Sequence, residues 1–371
     1  MTVSVAIGKN GVIAVMRHKL ARISTVAGLS GVLAVGLTSG AYAATAAGTV
    51  STKAAAHTPA WHTILSVPNG ATSTEFDAVV ATGQTTGWAF LNDSAVAYER
   101  TGVTSWKKVA SPGGAAGAVH TAGASSPSNV WAAFQATSGG TRLYHWNGAK
   151  WSLAKTFPKG DVTGVSVLGS SDVWVYGGAS GSDGVFHFNG RSWTQVATHL
   201  QGGSALSDKS VWAFNSTQIA YYNGRKWTAT TVTKLLPPAT EHTPSYLTGV
   251  IAIAPNNVYA TGNGADTPRG GPGALLHYNG HSWSRVAESG TFETAVGKEL
   301  TSDGKGGVWI AAYSLPGYYP GLWRYSAGKL TSVALPGGAT TVSISRIPGT
   351  AEQLSAGFQS DGGNSVVQQF S

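Results

Sequence analysis

The chain has 371 residues, a formal net charge of +8, only 11% charged residues, 50 glycines and no cysteine. Lack of cysteine excludes disulfides, thiolate metal centres and a lipid-modified cysteine anchor. The 13 tryptophans recur at regular intervals, which excludes disorder and, with so much Gly, Ser, Thr and Asn, fits a turn-rich all-β protein.

The first 43 residues read as an export signal. Arg17, His18, Lys19 and Arg22 form a basic region, residues 23–37 an apolar stretch, and Ala41-Tyr42-Ala43 supplies small residues for cleavage. The apolar stretch is about 15 residues, interrupted by Ser, Thr and Gly, and is short for a retained membrane span. Translation starts at Met1 or at Met16; the second start gives a signal of ordinary length. Cleavage removes Lys9, Arg17, Lys19 and Arg22 with no acid, leaving a formal +4 and weakening any nucleic-acid reading. Residues 44–58, rich in Ala, Thr and Ser, are expected to be a flexible leader.

From residue 59 onward one unit repeats. A Val-Trp step occurs at Val130-Trp131, Val173-Trp174, Val211-Trp212 and Val308-Trp309, as Val258-Tyr259, and in weaker form at Gly87-Trp88 and Leu354-Ser355. An aromatic-Asn-Gly turn and a second Trp follow, as in His145-Trp146-Asn147-Gly148-Ala149-Lys150-Trp151 and in the copies ending at Trp193, Trp227 and Trp283. The repeat length of about 44 residues is that of a four-stranded propeller blade, too long for leucine-rich or helical repeats. In the second unit the spacing predicts strands over 118–123, 130–135, 142–146 and 150–157. Asn-Gly predicts a two-residue type I′ hairpin between the last two, with positive φ at both residues. The short polar turns between first and second strands, such as 125–129, 170–172 and 255–257, are explained by turn formation.

The last unit, 340–371, has room for three strands. The missing one is at the other end of the chain, because residues 60–68 match the outer strand 150–158: a Trp at the second position, a Pro at the end. Trp61 is therefore expected to close a seven-bladed β-propeller spanning 59–371, with each outer-strand Trp filling the widening gap between blades.

The pattern Asn/Asp-Val-Trp…His-aromatic-Asn-Gly-x-x-Trp resembles the tandem propeller repeats of secreted bacterial proteins, distantly similar to kelch and Asp-box propellers. That resemblance implies fold and export. It says little of ligand, since the full Asp box, the kelch double glycine and the WD-repeat signature are all missing from the units.

Variable loops on a rigid scaffold are the usual place for function. Those are the loops between second and third strands and the crossings between blades, especially 233–246, 262–273 and 314–321. They carry Lys234, Glu241, His242, Tyr246, Asp266, Arg269, Tyr318 and Tyr319, with Tyr313 beside them, a polar, aromatic-edged set suited to a glycan. The rival reading is solvated insertions packed on themselves. A second candidate is the channel mouth, where Glu75, Phe76, Asp77, His120, Thr163, Thr248, Lys298 and Glu299 enter on the innermost strands. A hydrolase would use Asp77, Glu299 and His120 there as carboxylate pair and cation. The mature arginines do not gather on the inner strands, which argues against a sialidase. His145, His187 and His277 occupy the same phase of different blades and are expected to pack, not to bind metal. Lys150, Arg191, Arg225, Lys226, His281 and Lys329 form an arc of hairpin cations that would suit an anionic wall polymer, or simply solvate the turns.

The reading is an exported, monomeric, non-enzymatic binding propeller for a glycan, cell-wall polymer or protein, without cofactor, metal, nucleic acid or membrane span after cleavage. The alternatives are a secreted glycoside hydrolase or polysaccharide lyase acting at the channel mouth, and a purely structural extracellular scaffold.

Overall fold

A computed structural model describes residues 6–7, 13–14, 58–68, 75–92, 94–112, 117–136, 139–177, 184–239, 244–264, 273–289, 292–293, 299–314, 319–359 and 363–371. The chain divides into two compact units, 1–56 and 57–371. In the first, Ala6–Ile7 pairs antiparallel with Ile13–Ala14.

The second unit is a seven-bladed propeller of four-stranded antiparallel blades. Blade 1 is Phe76–Ala81, Gly87–Leu91, Val96–Arg100 and Trp106–Ala110. Blade 2 is Val119–Ser126, Asn129–Gln135, Thr141–Trp146 and Trp151–Phe157, and blade 3 is Val162–Gly169, Asp172–Gly177, Gly184–Phe188 and Trp193–Thr198. Blade 4 follows as Gly202–Ser207, Ser210–Phe214, Gln218–Tyr222 and Trp227–Thr231, and blade 5 as Tyr246–Ala254, Asn257–Asn263, Gly273–Tyr278 and Trp283–Ser289. In blade 6 the innermost strand is in two pieces, Phe292–Glu293 and Glu299–Ser302, both paired with Val308–Ser314, before Tyr319–Ser326 and Lys329–Val333. Blade 7 is Ser343–Arg346, Gln353–Phe358 and Asn364–Phe370, completed by Trp61–Pro68. Trp61 pairs with Phe370 and Pro68 with Asn364, so the N-terminal strand closes the ring.

Among the described residues the second strands are buried along almost their whole length because they are covered on both faces by neighbouring blades. Its aromatic residue meets the outer-strand Trp of the next blade: Trp88 with Trp151 at 5.1 Å, Trp131 with Trp193 at 5.9 Å and Trp212 with Trp283 at 5.8 Å between ring centroids. Trp61 makes the same contact with Trp309 at 5.5 Å. Such pairs add about 0.5–1.5 kcal/mol beyond area burial.

The repeat-phase histidines pack inside their blades, as their spacing predicts. His145 lies on Trp131 at 4.4 Å, His187 on Trp174 at 4.2 Å and His277 on Tyr259 at 4.6 Å. The polar turn residue does more than turn the chain. Asn129 Oδ1 accepts from Trp131 Nε1 and contacts His145 Nε2, each at 2.9 Å, and Asp172 Oδ1 holds Trp174 and His187 in the same way. In blade 5 Asn257 Oδ1 contacts His277 Nε2 at 2.9 Å. Blade 6 substitutes a buried ion pair, Asp303 with Arg324 at 3.0 Å, and Arg324 stacks over Trp309 at 5.1 Å.

The Asn-Gly hairpins differ from the expected turn. Positive φ occurs at Gly148, Gly190, Gly224 and Gly280 but not at the preceding Asn. Trp146 pairs with Trp151, leaving a four-residue loop in which Asn147 Oδ1 accepts from the backbone N–H groups of Ala149 and Lys150. The asparagine is selected by this side-chain turn and not by a left-handed backbone. The two-residue connection with positive φ at both positions is Ala327-Gly328, between Ser326 and Lys329 of blade 6.

Neighbouring blades are also joined by inner-strand hydroxyls that accept from the next blade's backbone. Val79 and Ala81 donate to Ser343 and Ser345, Ala205 to Ser166, Ala252 to Ser204 and Arg346 to Thr301. The chain direction gives the ring two unlike faces. One, here the hairpin face, carries the first-to-second and third-to-fourth turns. The other, the crossing face, carries the second-to-third loops and the blade-to-blade crossings.

Candidate binding site at the channel mouth

The innermost strands of all seven blades line a cavity of about 700 Å³. At its crossing-face mouth four of these strands share one irregularity. The pairing register steps over Asp77 in blade 1, His120 in blade 2, Thr163 in blade 3 and Thr248 in blade 5, each the extra residue of a β-bulge, at the second position of its strand in blades 1 to 3 and the third in blade 5. A bulge bends the strand and re-aims the extra side chain, a device common beside functional sites. Blade 4 has glycines at the corresponding place, and a Cβ at Gly202 would lie 2.6 Å from the Phe214 ring, which itself lines the cavity.

The bulge residues are tied into the rim. His120 Nε2 lies 3.9 Å from Asp161 Oδ1, with Asp161 half exposed. Thr163 Oγ donates to the Gln201 carbonyl, and the buried Thr248 Oγ donates to Thr261 Oγ at 2.9 Å. Burial pushes the Glu75 carboxyl above its usual range. Tyr246 opens the innermost strand of blade 5 and lines the same cavity, its hydroxyl accepting from Asn263 Nδ2 at 3.4 Å.

The two sequence candidates therefore meet at Tyr246, which belongs to a variable crossing and also to the channel mouth. The preceding crossing is partly packed on itself: Val232 and Leu236 are buried with Trp212, Phe214 and Leu247, and Ser245 Oγ donates to the Pro237 carbonyl at 2.5 Å. Glu299 begins the second piece of the blade 6 inner strand, opposite Ala311. Tyr313 stands opposite Glu293 and Pro320, and Tyr319 opposite Ser314, at the crossing-face end of blade 6. Glu241, His242, Asp266, Arg269, Lys298 and Tyr318 lie outside the described residues. Among the described residues no group of three or more His, Asp or Glu side chains is placed to hold a metal ion.

Sequence reasoning missed Asp161, Gln201, Phe214 and Arg346 as cavity residues. Asp161 and Gln201 each immediately precede an innermost strand, so aligning the units on that strand rather than on the Val-Trp step would have found them. Arg346 ends the innermost strand of blade 7, at the hairpin end of the channel. The mouth thus presents hydroxyls, an amide, a phenol and an imidazole–carboxylate pair, groups that recognise a polar ligand by hydrogen bonding.

No protein-family model and no curated protein matches this chain in sequence. Similar solved structures are propellers. YCF48 bound to D1 peptide has 11% identity and a TM-score of 0.55, covering 84% of this chain and 96% of that one. Catalytically inactive virginiamycin B lyase from Staphylococcus aureus with quinupristin has 9% identity and a TM-score of 0.59, covering 84% and 100%. The WD40 repeats of RRP9 have 11% identity and a TM-score of 0.56, covering 82% and 96%. At these identities the likeness is one of fold, a seven-bladed propeller shared by binding proteins and by an enzyme.

Proposed function

We propose that the protein is an exported, non-catalytic propeller that binds a glycan, cell-wall polymer or protein on its crossing face, around the channel mouth. One observation carries the reading: three blades spend a β-bulge on His120, Thr163 and Thr248, which line the cavity with Tyr246, and a fourth has the same bulge at Asp77. Bulges also recur at the hairpin ends of innermost strands and in the outer strands; what supports recognition at the mouth is that three of the residues turned out there line the cavity. Export rests on the basic, apolar and small-residue order of residues 1–43. A protein partner is the first class to test, since YCF48, of the same architecture, was determined with a peptide.

The test is a peptide and glycan array probed with the full-length chain and with a His120→Ala/Gln201→Ala/Tyr246→Phe variant. Saturable binding that the variant loses, at an unchanged melting temperature, is the expected result. Equal binding by both proteins overturns the site. Turnover of a bound glycan, abolished by Asp77→Asn, would replace the binding reading with the hydrolase. N-terminal sequencing of secreted protein is expected to begin near Ala44; a membrane-bound form retaining residues 23–37 would overturn export.

A further inference from the structure

The two faces of the ring differ in charge. The crossing face mixes signs, Glu75, Asp77, Asp161 and Glu288 standing with Arg142, Lys155, Lys159 and Lys234. On the hairpin face Lys150, Arg191, Lys209, Arg225 and Lys226 are all exposed across blades 2 to 4, and His281 extends the arc into blade 5. None of these six hairpin-face cations enters an ion pair among the described residues.

These cations are held in place. The backbone N–H groups of Lys150, Arg191, Arg225, Lys226 and His281 donate to the asparagine side chain of their own hairpin, at 3.0 Å in each case. In blade 4 the two turns touch: a Cβ on Gly224 would lie 2.6 Å from Lys209 Cγ. Lys209, Arg225 and Lys226 therefore form one cluster, flanked by Arg191 and Lys150 on one side and His281 on the other. The carboxylates described on this face of blades 2 to 5 are Asp172, which is held by Trp174 and His187, and Asp208 beside Lys209.

We infer that the hairpin face docks a linear phosphodiester polymer along the arc from blade 2 to blade 5, a second surface independent of the channel mouth. The cations step from blade to blade and do not converge on a pocket, which fits a flexible chain with one permanent charge per repeat. Lysines, which serve phosphate as point charges, supply three of the five exposed Lys and Arg side chains. A membrane surface fits less well, because insertion needs apolar groups beside the cations. Among the described residues the exposed large apolar side chains are Val103, in the blade 1 hairpin, and Leu153, on an outer strand, and neither stands on the arc.

The experiment is a titration of the full-length chain with soluble poly(glycerol phosphate) at about 50 mM and about 300 mM salt. Lys209→Gln/Arg225→Gln/Lys226→Gln is expected to weaken binding by about tenfold or more at the lower salt, and to flatten the salt dependence, with an unchanged melting temperature. Lys155→Gln/Lys234→Gln, on the crossing side, is expected to leave affinity as it was. If that triple variant misfolds, Arg191→Gln/Arg225→Gln is the replacement, expected to weaken binding severalfold. Absence of polymer binding, equal loss in the crossing-side variant, or tighter binding to duplex DNA, polygalacturonate or phosphatidylglycerol vesicles would each overturn the inference.

Discussion

In blade 3 the second strand lays Trp174 on His187, and Asp172 receives a hydrogen bond from the indole. The same three positions in the closing blade are Ser355, Gln368 and Gln353, all buried. Gln353 Nε2 donates to the Ser302 carbonyl of blade 6 and Gln368 Nε2 to Thr63 Oγ of the N-terminal strand. Arg100 of blade 1, only 1% exposed, donates to Gln369 Oε1 at 2.6 Å, and Gln369 in turn donates to Glu352. Burial lowers the Arg100 pKa and Glu352 partly offsets this. An interior blade is held by stacked rings, whereas the blade where the chain ends meet is held by directional polar contacts to both neighbours and to the closing strand. Rings pack in more than one way; a hydrogen-bonded amide specifies its register, which matters most where two distant ends must find each other.

The largest expected effect separates the closing strand from what precedes it. Removing residues 1–58 should leave the melting temperature of the propeller unchanged. Extending the deletion through Pro68 strips Asn364–Phe370 of its partner and exposes a strand edge, so the longer truncation should aggregate or pair between chains on size exclusion. Equal stability and a monomeric state for both would break the comparison outright.

Trp61→Ala should cost about 3 kcal/mol, the low end for a large aromatic, because Trp61 is half-buried against Trp309 and Phe370. Arg100→Ala should cost about 1–3 kcal/mol in chemical unfolding, since it leaves the buried Gln369 Oε1 without its donor. A loss below that for Asp172→Ala in blade 3 would mean that the seam is the weaker construction.

Asn129→Ala should cost about 1–3 kcal/mol, because the indole of Trp131 and the imidazole of His145 lose their shared acceptor. The smallest effect concerns pH. Burial lowers the pKa of His145 and His277 below the ordinary 6.5. The unfolded chain therefore binds protons that the folded one does not, so the stability these residues contribute is present above pH 6.5 and lost as the pH falls toward their lowered values. Asn129→Asp, which gives His145 the partner that His187 has in blade 3, should reduce that loss. Unfolding midpoints at pH 7 and pH 5 for the two proteins decide it; an equal drop would rule out an effect of the carboxylate on His145.

Much of this architecture was legible in the linear chain. The unit length, the count of seven, the outer-strand tryptophans and the closure by residues 60–68 all follow from repetition, because a blade that packs on copies of itself must keep its contact residues in phase. Four features were not legible. The bulges at Asp77, His120, Thr163 and Thr248 change pairing without changing composition, and the hydroxyl contacts between innermost strands join residues on different blades. The hairpin asparagine acts through its side chain, although the dipeptide points to a left-handed backbone. Asp303 lies in a glycine-rich turn that reads as surface, yet it is wholly buried. There burial pushes its carboxyl up, while the N–H groups of Lys305 and Gly307 and the Arg324 guanidinium hold it below the usual range.

The sequence by itself determined the ring, because local strand and turn preferences, repeated seven times, admit one way of burying thirteen tryptophans. Only the tertiary structure decided which polar side chains share a rim, a seam or a face. Those groupings depend on distances between residues up to about three hundred positions apart, and no local preference encodes them.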